Sequence, residues 1–106
     1  MQIIQQRIKG LISICKKAGY LIIGGDNLKG YNHKLYLILY EKNSGKNLIK
    51  IVNNLKEQTD AVSYELENLF DYTNIQGCKI VAVKNKGLAN QIEKLLKEWK
   101  FGYKHK

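Results

Sequence analysis

Apolar residues recur at Ile4, Ile8, Leu11, Ile12 and Cys15, the spacing of one helix face, with Lys9, Lys16 and Lys17 on the other faces. This pattern predicts an amphipathic helix ending at Gly19. Tyr20 to Ile23 is a short apolar run closed by Gly24-Gly25, which predicts a brief buried strand and a tight turn. Gly25 or Asp26 then caps a short helix over Asn27 to Tyr31. The run from Lys34 to Tyr40 is apolar on both faces and rich in strand-favouring residues, as a central strand covered on both sides requires. After the Asn43-Ser44-Gly45 break, Leu48, Ile51, Val52 and Leu55 mark a second amphipathic helix, and Asp60 to Ser63 reads as a short strand. Leu66, Leu69 and Phe70 line one side of a short acidic helix, and Lys79 to Val83 is a buried strand. Leu88, Ala89, Ile92, Leu95, Leu96 and Trp99 give the last helix its apolar stripe.

Helices thus alternate with short strands, which predicts an α/β fold: a three-layer α/β/α sandwich around a mixed sheet of about four strands. With 106 residues, one domain over 1–99 and a basic, aromatic tail over 100–106 are expected. No stretch approaches the roughly 20 apolar residues of a membrane span, and the first residues lack the apolar core and cleavage site of a secretory signal. The expected setting is the cytoplasm, with no membrane partner. Cys15 and Cys78 each lie inside an apolar run, where a thiol acts as a small hydrophobe. Two distant cysteines with His33 and His105 do not make a four-ligand zinc site, so no metal is expected.

Charge adds the first functional clue. The net charge is +9, with 17 Lys against one Arg. A basic face binds polyphosphate by releasing its counterions, although the abundance of Asn, Ile, Lys and Tyr is also what AT-rich coding produces. Distribution says more than the total: residues 1–50 carry nine Lys/Arg against two acids, whereas residues 57–78 carry five acids and no Lys or Arg. Enzyme motifs are missing. Gly45-Lys46 lacks the first glycine and the Ser or Thr of a phosphate loop, and Gly24, Gly25 and Gly30 do not have dinucleotide-binding spacing. His33 sits in a polar turn with no Cys or Ser nearby and reads as a solvated residue rather than a general base. A non-catalytic protein without a cofactor is expected.

Three segments together resemble the bacterial YlxQ-type branch of the kink-turn RNA-binding superfamily, which also holds archaeal and eukaryotic ribosomal proteins. Gly10 to Gly25 is similar to the family's opening helix, its "A-G-K-L" turn and the glycine before helix two. Leu37 to Glu41, followed by Asn43-Ser44-Gly45-Lys46-Asn47-Leu48, resembles its apolar strand, acidic residue and "N-T-x-K-x-L" helix start. Ile80 to Ile92 is close to its "V-A-V-T-D-x-G-F-A-x-x-I". The resemblance implies an α/β/α sandwich that binds structured RNA, ribosomal RNA among the candidates; a ribosome-associated or ribosome-assembly role and a monomer are expected. The RNA surface it implies is the loop before helix two, the start of helix three and the loop before the last strand. Carried onto this chain, those positions are Gly24, Gly25, Asp26, Asn27, Lys29, Glu41, Asn43, Lys46, Tyr72 and Ile75. Gly24-Gly25 would let backbone amides approach a phosphate beside Lys46, or would form a plain tight turn. Tyr72 and Ile75 would stack on an unpaired base or close the core.

The chain also departs from the family. Kink-turn binders carry "G-x-N-E-x-x-K", whereas this sequence has Gly24-Gly25-Asp26-Asn27-Leu28-Lys29-Gly30 there, and the segment up to Lys34 is about one helical turn short. The competing expectation is therefore a protein-interaction module on the same fold that has lost its RNA contacts. The discriminating feature is whether Lys29, Lys34 and Lys46, with Lys9, Lys16 or Lys17, converge on one face beside Gly24-Gly25.

Overall fold

The computed structural model describes residues 3–98. Trp99, expected on the last helix stripe, and the tail over 100–106 lie outside them. Nine elements follow one another: α1 (Ile3–Ala18), β1 (Leu21–Ile23), α2 (Gly25–Leu28), β2 (Leu37–Glu41), α3 (Lys46–Thr59), β3 (Val62–Leu66), α4 (Phe70–Thr73), β4 (Ile80–Val83) and α5 (Lys86–Lys97). The strands form one four-stranded mixed sheet in the order β1-β4-β2-β3. β4 runs antiparallel to both β1 and β2, while β2 and β3 are parallel, joined by the α3 crossover.

Each face of the sheet carries its own core. Ile8, Ile12 and Cys15 of α1 and Ala89, Ile92 and Leu96 of α5 pack with Leu37, Leu39, Val81 and Val83. Leu28 of α2 and Leu48, Val52 and Leu55 of α3 pack with Ile38, Ile80 and Ala82 on the opposite face. Alternation along β2 and β4 sends successive side chains into different cores, which is why both strands had to be apolar throughout. β4 is buried at all four positions, and β2 at Leu37, Ile38 and Leu39. The three-layer α/β/α sandwich expected from the alternation of elements is therefore the observed architecture. Cys15 and Cys78 are both free thiols in the α1/α5 core, and burial pushes both pKa values up.

Helix ends explain two boundaries. Gly19, at φ +80°, takes a left-handed conformation while its N–H donates to Lys16 O and the Tyr20 N–H donates to Cys15 O, a paired arrangement that stops α1. Asp60, at φ 58°, does the same for α3, its N–H donating to Lys56 O. Because Asp60 closes that helix, the strand expected over Asp60 to Ser63 begins instead at Val62 and runs to Leu66. The short acidic helix expected through Leu66, Leu69 and Phe70 is corrected as well. Leu66 ends β3 and Leu69 sits in the turn after it, both in the α1/α5 core, while Phe70 is exposed and starts a single helical turn. The two-residue alternation of Tyr64 and Leu66 across an edge strand outcompetes the helical spacing of Leu66, Leu69 and Phe70.

Candidate nucleic-acid interface

The carboxyl ends of β1, β2 and β3 and the start of β4 share one end of the sheet, which gathers the loops singled out by the resemblance. The β1–α2 turn depends on both glycines, for different reasons. Gly24 has φ +90°, which strains any residue with a side chain, and its N–H donates to Ile80 O at 3.0 Å, tying the turn to β4. A Cβ on Gly25 would lie 3.3 Å from Ile51 Cδ1, so a glycine there lets α2 close on α3. The Gly24 amide is thus engaged internally and does not offer itself to a phosphate. Asp26 is exposed. Asn27 Nδ2 donates to Ile23 O at 2.7 Å, turning the side chain back onto β1. Lys29, exposed at the end of α2, lies beside Asn54 and Gln58 in the second half of α3. That position is about 12 Å along the helix axis from Lys46.

The β2–α3 turn is organised around Glu41. One carboxylate oxygen accepts from the Leu69 N–H at 3.0 Å, and the other is paired with Lys79 Nζ. The Lys79 hydrogen bond first, and the Leu69 N–H second, hold the carboxyl below the ordinary glutamate range. Ser44 Oγ donates to Glu41 O at 2.7 Å, and Asn43 takes the left-handed conformation at φ 61°. The chain then enters α3 through Gly45, at φ +93°, with no side-chain cap on the helix N-terminus. Asn43, Ser44, Gly45, Lys46, Ile49, Lys50 and Glu65 surround a shallow depression there. It combines two lysines, uncapped backbone N–H groups and an exposed isoleucine with one carboxylate, Glu65, on its rim, so the lysine and helix-start side suits an anionic group and the Glu65 side opposes one.

The ten expected site residues therefore separate. Asn43 and Lys46 line the depression, and Gly24, Gly25 and Asp26 lie at the same end of the sheet. Lys29 is displaced along α3. Glu41 is an internal brace with both oxygens engaged. Tyr72, only 6% exposed, belongs to the α1/α5 core and presents no face for stacking on a base, whereas Ile75 packs against that core and stays partly exposed. α4 turns Tyr72 and Thr73 inward and Asn74 at φ 57° closes that turn, while Asn74, Gln76 and Gly77 of the following loop stay exposed. Lys50 and Ile49 were missed. Ile49 is apolar but off the Leu48, Ile51, Val52, Leu55 stripe, and Lys50 follows Lys46 at one helical turn.

The lysines do not converge on one face beside Gly24-Gly25. Lys46, Lys50 and Lys29 lie on the α2/α3 side, whereas Lys16 and Lys17 end α1 and Lys34 precedes β2 at the other end of the sheet. Among the described residues no group of three or more His, Cys, Asp or Glu could hold a metal ion, and no helix is long and apolar enough to cross a membrane.

No family model matches the chain, and a search of curated proteins gives no significant match. Among solved structures, the chain is similar to a protein with unknown function from Bacillus halodurans C, with a TM-score of 0.72 at 16% identity, over 86% of this chain and 97% of that one. That likeness concerns the fold.

Proposed function

We propose that the protein binds structured RNA without catalysing a reaction, as a cytoplasmic ribosome-associated or ribosome-assembly protein. The observation that carries this reading is the depression at the start of α3, where Lys46 and Lys50 flank an uncapped helix N-terminus beside Asn43. Backbone N–H groups and lysine ammonium groups hold phosphate oxygens, and a helix start adds its dipole. The net charge of +9 supplies the long-range attraction. The segments that resemble the kink-turn superfamily point to the same loop.

A protein-interaction role has its own support, first in that Lys29, Lys34 and Lys46 do not converge beside Gly24-Gly25. Leu11, Ile14 and Leu95 line an apolar groove between α1 and α5, with Ile14 half exposed, and Asn27, Glu41 and Tyr72 all have internal roles. A titration of a kink-turn RNA and a straight duplex of equal length, at several salt concentrations, separates the two. Lys46→Ala weakens binding to the folded RNA and flattens the plot of log affinity against log salt by up to about one unit. Lys29→Ala has a smaller effect, because Lys29 lies away from the depression, and Lys94→Ala, in the α1/α5 groove, has none. Equal losses for all three variants mean diffuse charge binding without a site. Failure of the unaltered protein to bind at moderate salt favours the protein-interaction role.

A further inference from the structure

The end of the sheet opposite the α3 depression gathers three chain segments that contain no acid. They are Ile14 to Tyr20 at the end of α1, Tyr31 to Tyr36 before β2, and Val83 to Asn90 leading into α5. The sheet register brings them together: the Lys84 N–H donates to Tyr20 O, and the Tyr36 N–H donates to Val83 O. Lys16, Lys17, Lys34, Lys84 and Lys86 are all exposed there. None of them takes part in the ion pairs formed among the described residues, which are Lys42–Glu67, Lys79–Glu41 and Lys97–Glu93. The acids at this end of the sheet are Glu57 and Asp60, exposed where α3 closes onto β3; the Val62 N–H donates to Tyr36 O, so they border the patch on its β2 side, while the β1 and β4 side that carries Lys17, Tyr20 and Lys84 lies away from that edge. Two aromatic rings lie among the lysines. Tyr20 is 39% exposed, and Lys34 Nζ stands 5.7 Å from the centre of the Tyr36 ring. The N-terminus of α5 adds the positive end of a twelve-residue helix at the same place.

We infer that this end is a second RNA-binding surface, which holds a single-stranded segment by phosphate contacts to Lys17, Lys34 and Lys84 and by stacking of a base on Tyr20. Unpaired lysines around an aromatic ring are what a flexible strand needs, since every base has a face to stack and every phosphate a charge to neutralise. An acidic helix would use the charge but not the ring, and an anionic membrane surface would not distinguish Tyr20→Phe from Tyr20→Ala by base stacking. Lys79 and Lys84 bracket β4, so the two RNA surfaces stand about 16 Å apart along the strand. One molecule can then engage a folded element at the α3 depression and an adjoining single strand at the other end. The inference rests on the RNA-binding reading only for its choice of polyanion, and its site shares no residue with the α3 depression.

The test uses the full chain and a short oligouridylate, titrated at several salt concentrations. The triple variant K17Q/K34Q/K84Q reduces the salt slope by about two units, at about 0.7 per phosphate contact to a single strand. Tyr20→Ala weakens oligouridylate binding by about 5- to 150-fold, and Tyr20→Phe restores it. The double variant K46Q/K50Q leaves oligouridylate binding unchanged while it weakens binding of the kink-turn RNA. Circular dichroism melts confirm that each variant is folded. Equal weakening of oligouridylate binding by K46Q/K50Q and the triple variant overturns the second surface in favour of diffuse charge. Absence of oligouridylate binding at moderate salt also overturns it, and binding of phosphatidylserine vesicles in its place would assign the patch to a membrane surface. If oligouridylate behaves as described but K46Q/K50Q binds kink-turn RNA normally, the α3 site fails and the second surface stands.

Discussion

The two ends of the sheet treat charge in opposite ways. At the Gly24 end, Glu41 draws Lys79 and the Leu69 N–H inward, Lys42 pairs with Glu67 at 3.6 Å, and Ser44 closes the turn onto Glu41 O. The basic groups left over are Lys46 and Lys50, at one helix start. At the Tyr20 end, by contrast, five lysines project from three segments without an ion pair to any described residue. Networked charge builds a shaped site; unpartnered charge builds a field. A chain can therefore hold one contact specified by geometry and another specified by electrostatics on opposite ends of one sheet.

The largest effects should come from what the two ends share. Leu39 is fully buried in β2, which links both ends, and Leu39→Ala should cost about 2–5 kcal/mol. Chemical denaturation followed by circular dichroism and by tyrosine fluorescence should then show one shifted transition. Two separated transitions would mean that the ends are independent units. Glu41→Ala should cost less, about 1–2 kcal/mol, because it removes a charged hydrogen bond and leaves the Leu69 N–H without its acceptor. This cost should depend on pH. With its folded pKa depressed, Glu41 contributes stability that is present above the ordinary glutamate range and is lost as pH falls through the lowered value. The gap between the parent and Glu41→Gln should therefore close on acidification. A constant gap would deny Glu41 its bracing role.

A third effect lies at high pH and outside either end. Tyr64 OH donates to Glu93 Oε2 at 3.1 Å, and burial together with that carboxylate pushes the phenol up to about 12. A raised pKa contributes stability that is complete below pH ~10 and is lost as pH rises toward ~12. Tyr64→Phe should remove that alkaline loss, seen as a flatter dependence of denaturation midpoint on pH. The smallest effect belongs to the exposed lysines: Lys34→Gln and Lys84→Gln should each change stability by no more than about 0.5 kcal/mol. A larger cost would show that these lysines hold the fold together and are not free for a ligand.

Much of the architecture was legible because two cores demand two patterns. The α1, α3 and α5 stripes and the doubly apolar β2 and β4 could be read from periodicity alone. Where two periods competed, over Leu66 to Phe70, the helix spacing misled, since Tyr64 already set a strand alternation that Leu66 continues. The candidate site was less legible. Lys46 and Asn43 could be placed because the turn before α3 is local in sequence. Glu41 and Tyr72 could not, because what engages them comes from elsewhere in the fold: Leu69 and Lys79 for Glu41, and the packed α1/α5 core for Tyr72. The Tyr20 patch was hidden for a related reason. Its lysines are scattered from Lys16 to Lys86 and meet only through the β1–β4–β2 register.

The proposed RNA contact lies at a defined place, the start of α3. Titration of the 15N-labelled protein with a kink-turn RNA, followed by amide NMR, tests it most directly. The largest amide shifts should fall on Asn43 to Lys50 and stay there as salt is raised until binding is lost, while Lys94 and its neighbours on α5 remain still. Small shifts spread over every lysine-bearing surface, fading together with salt, would contradict it.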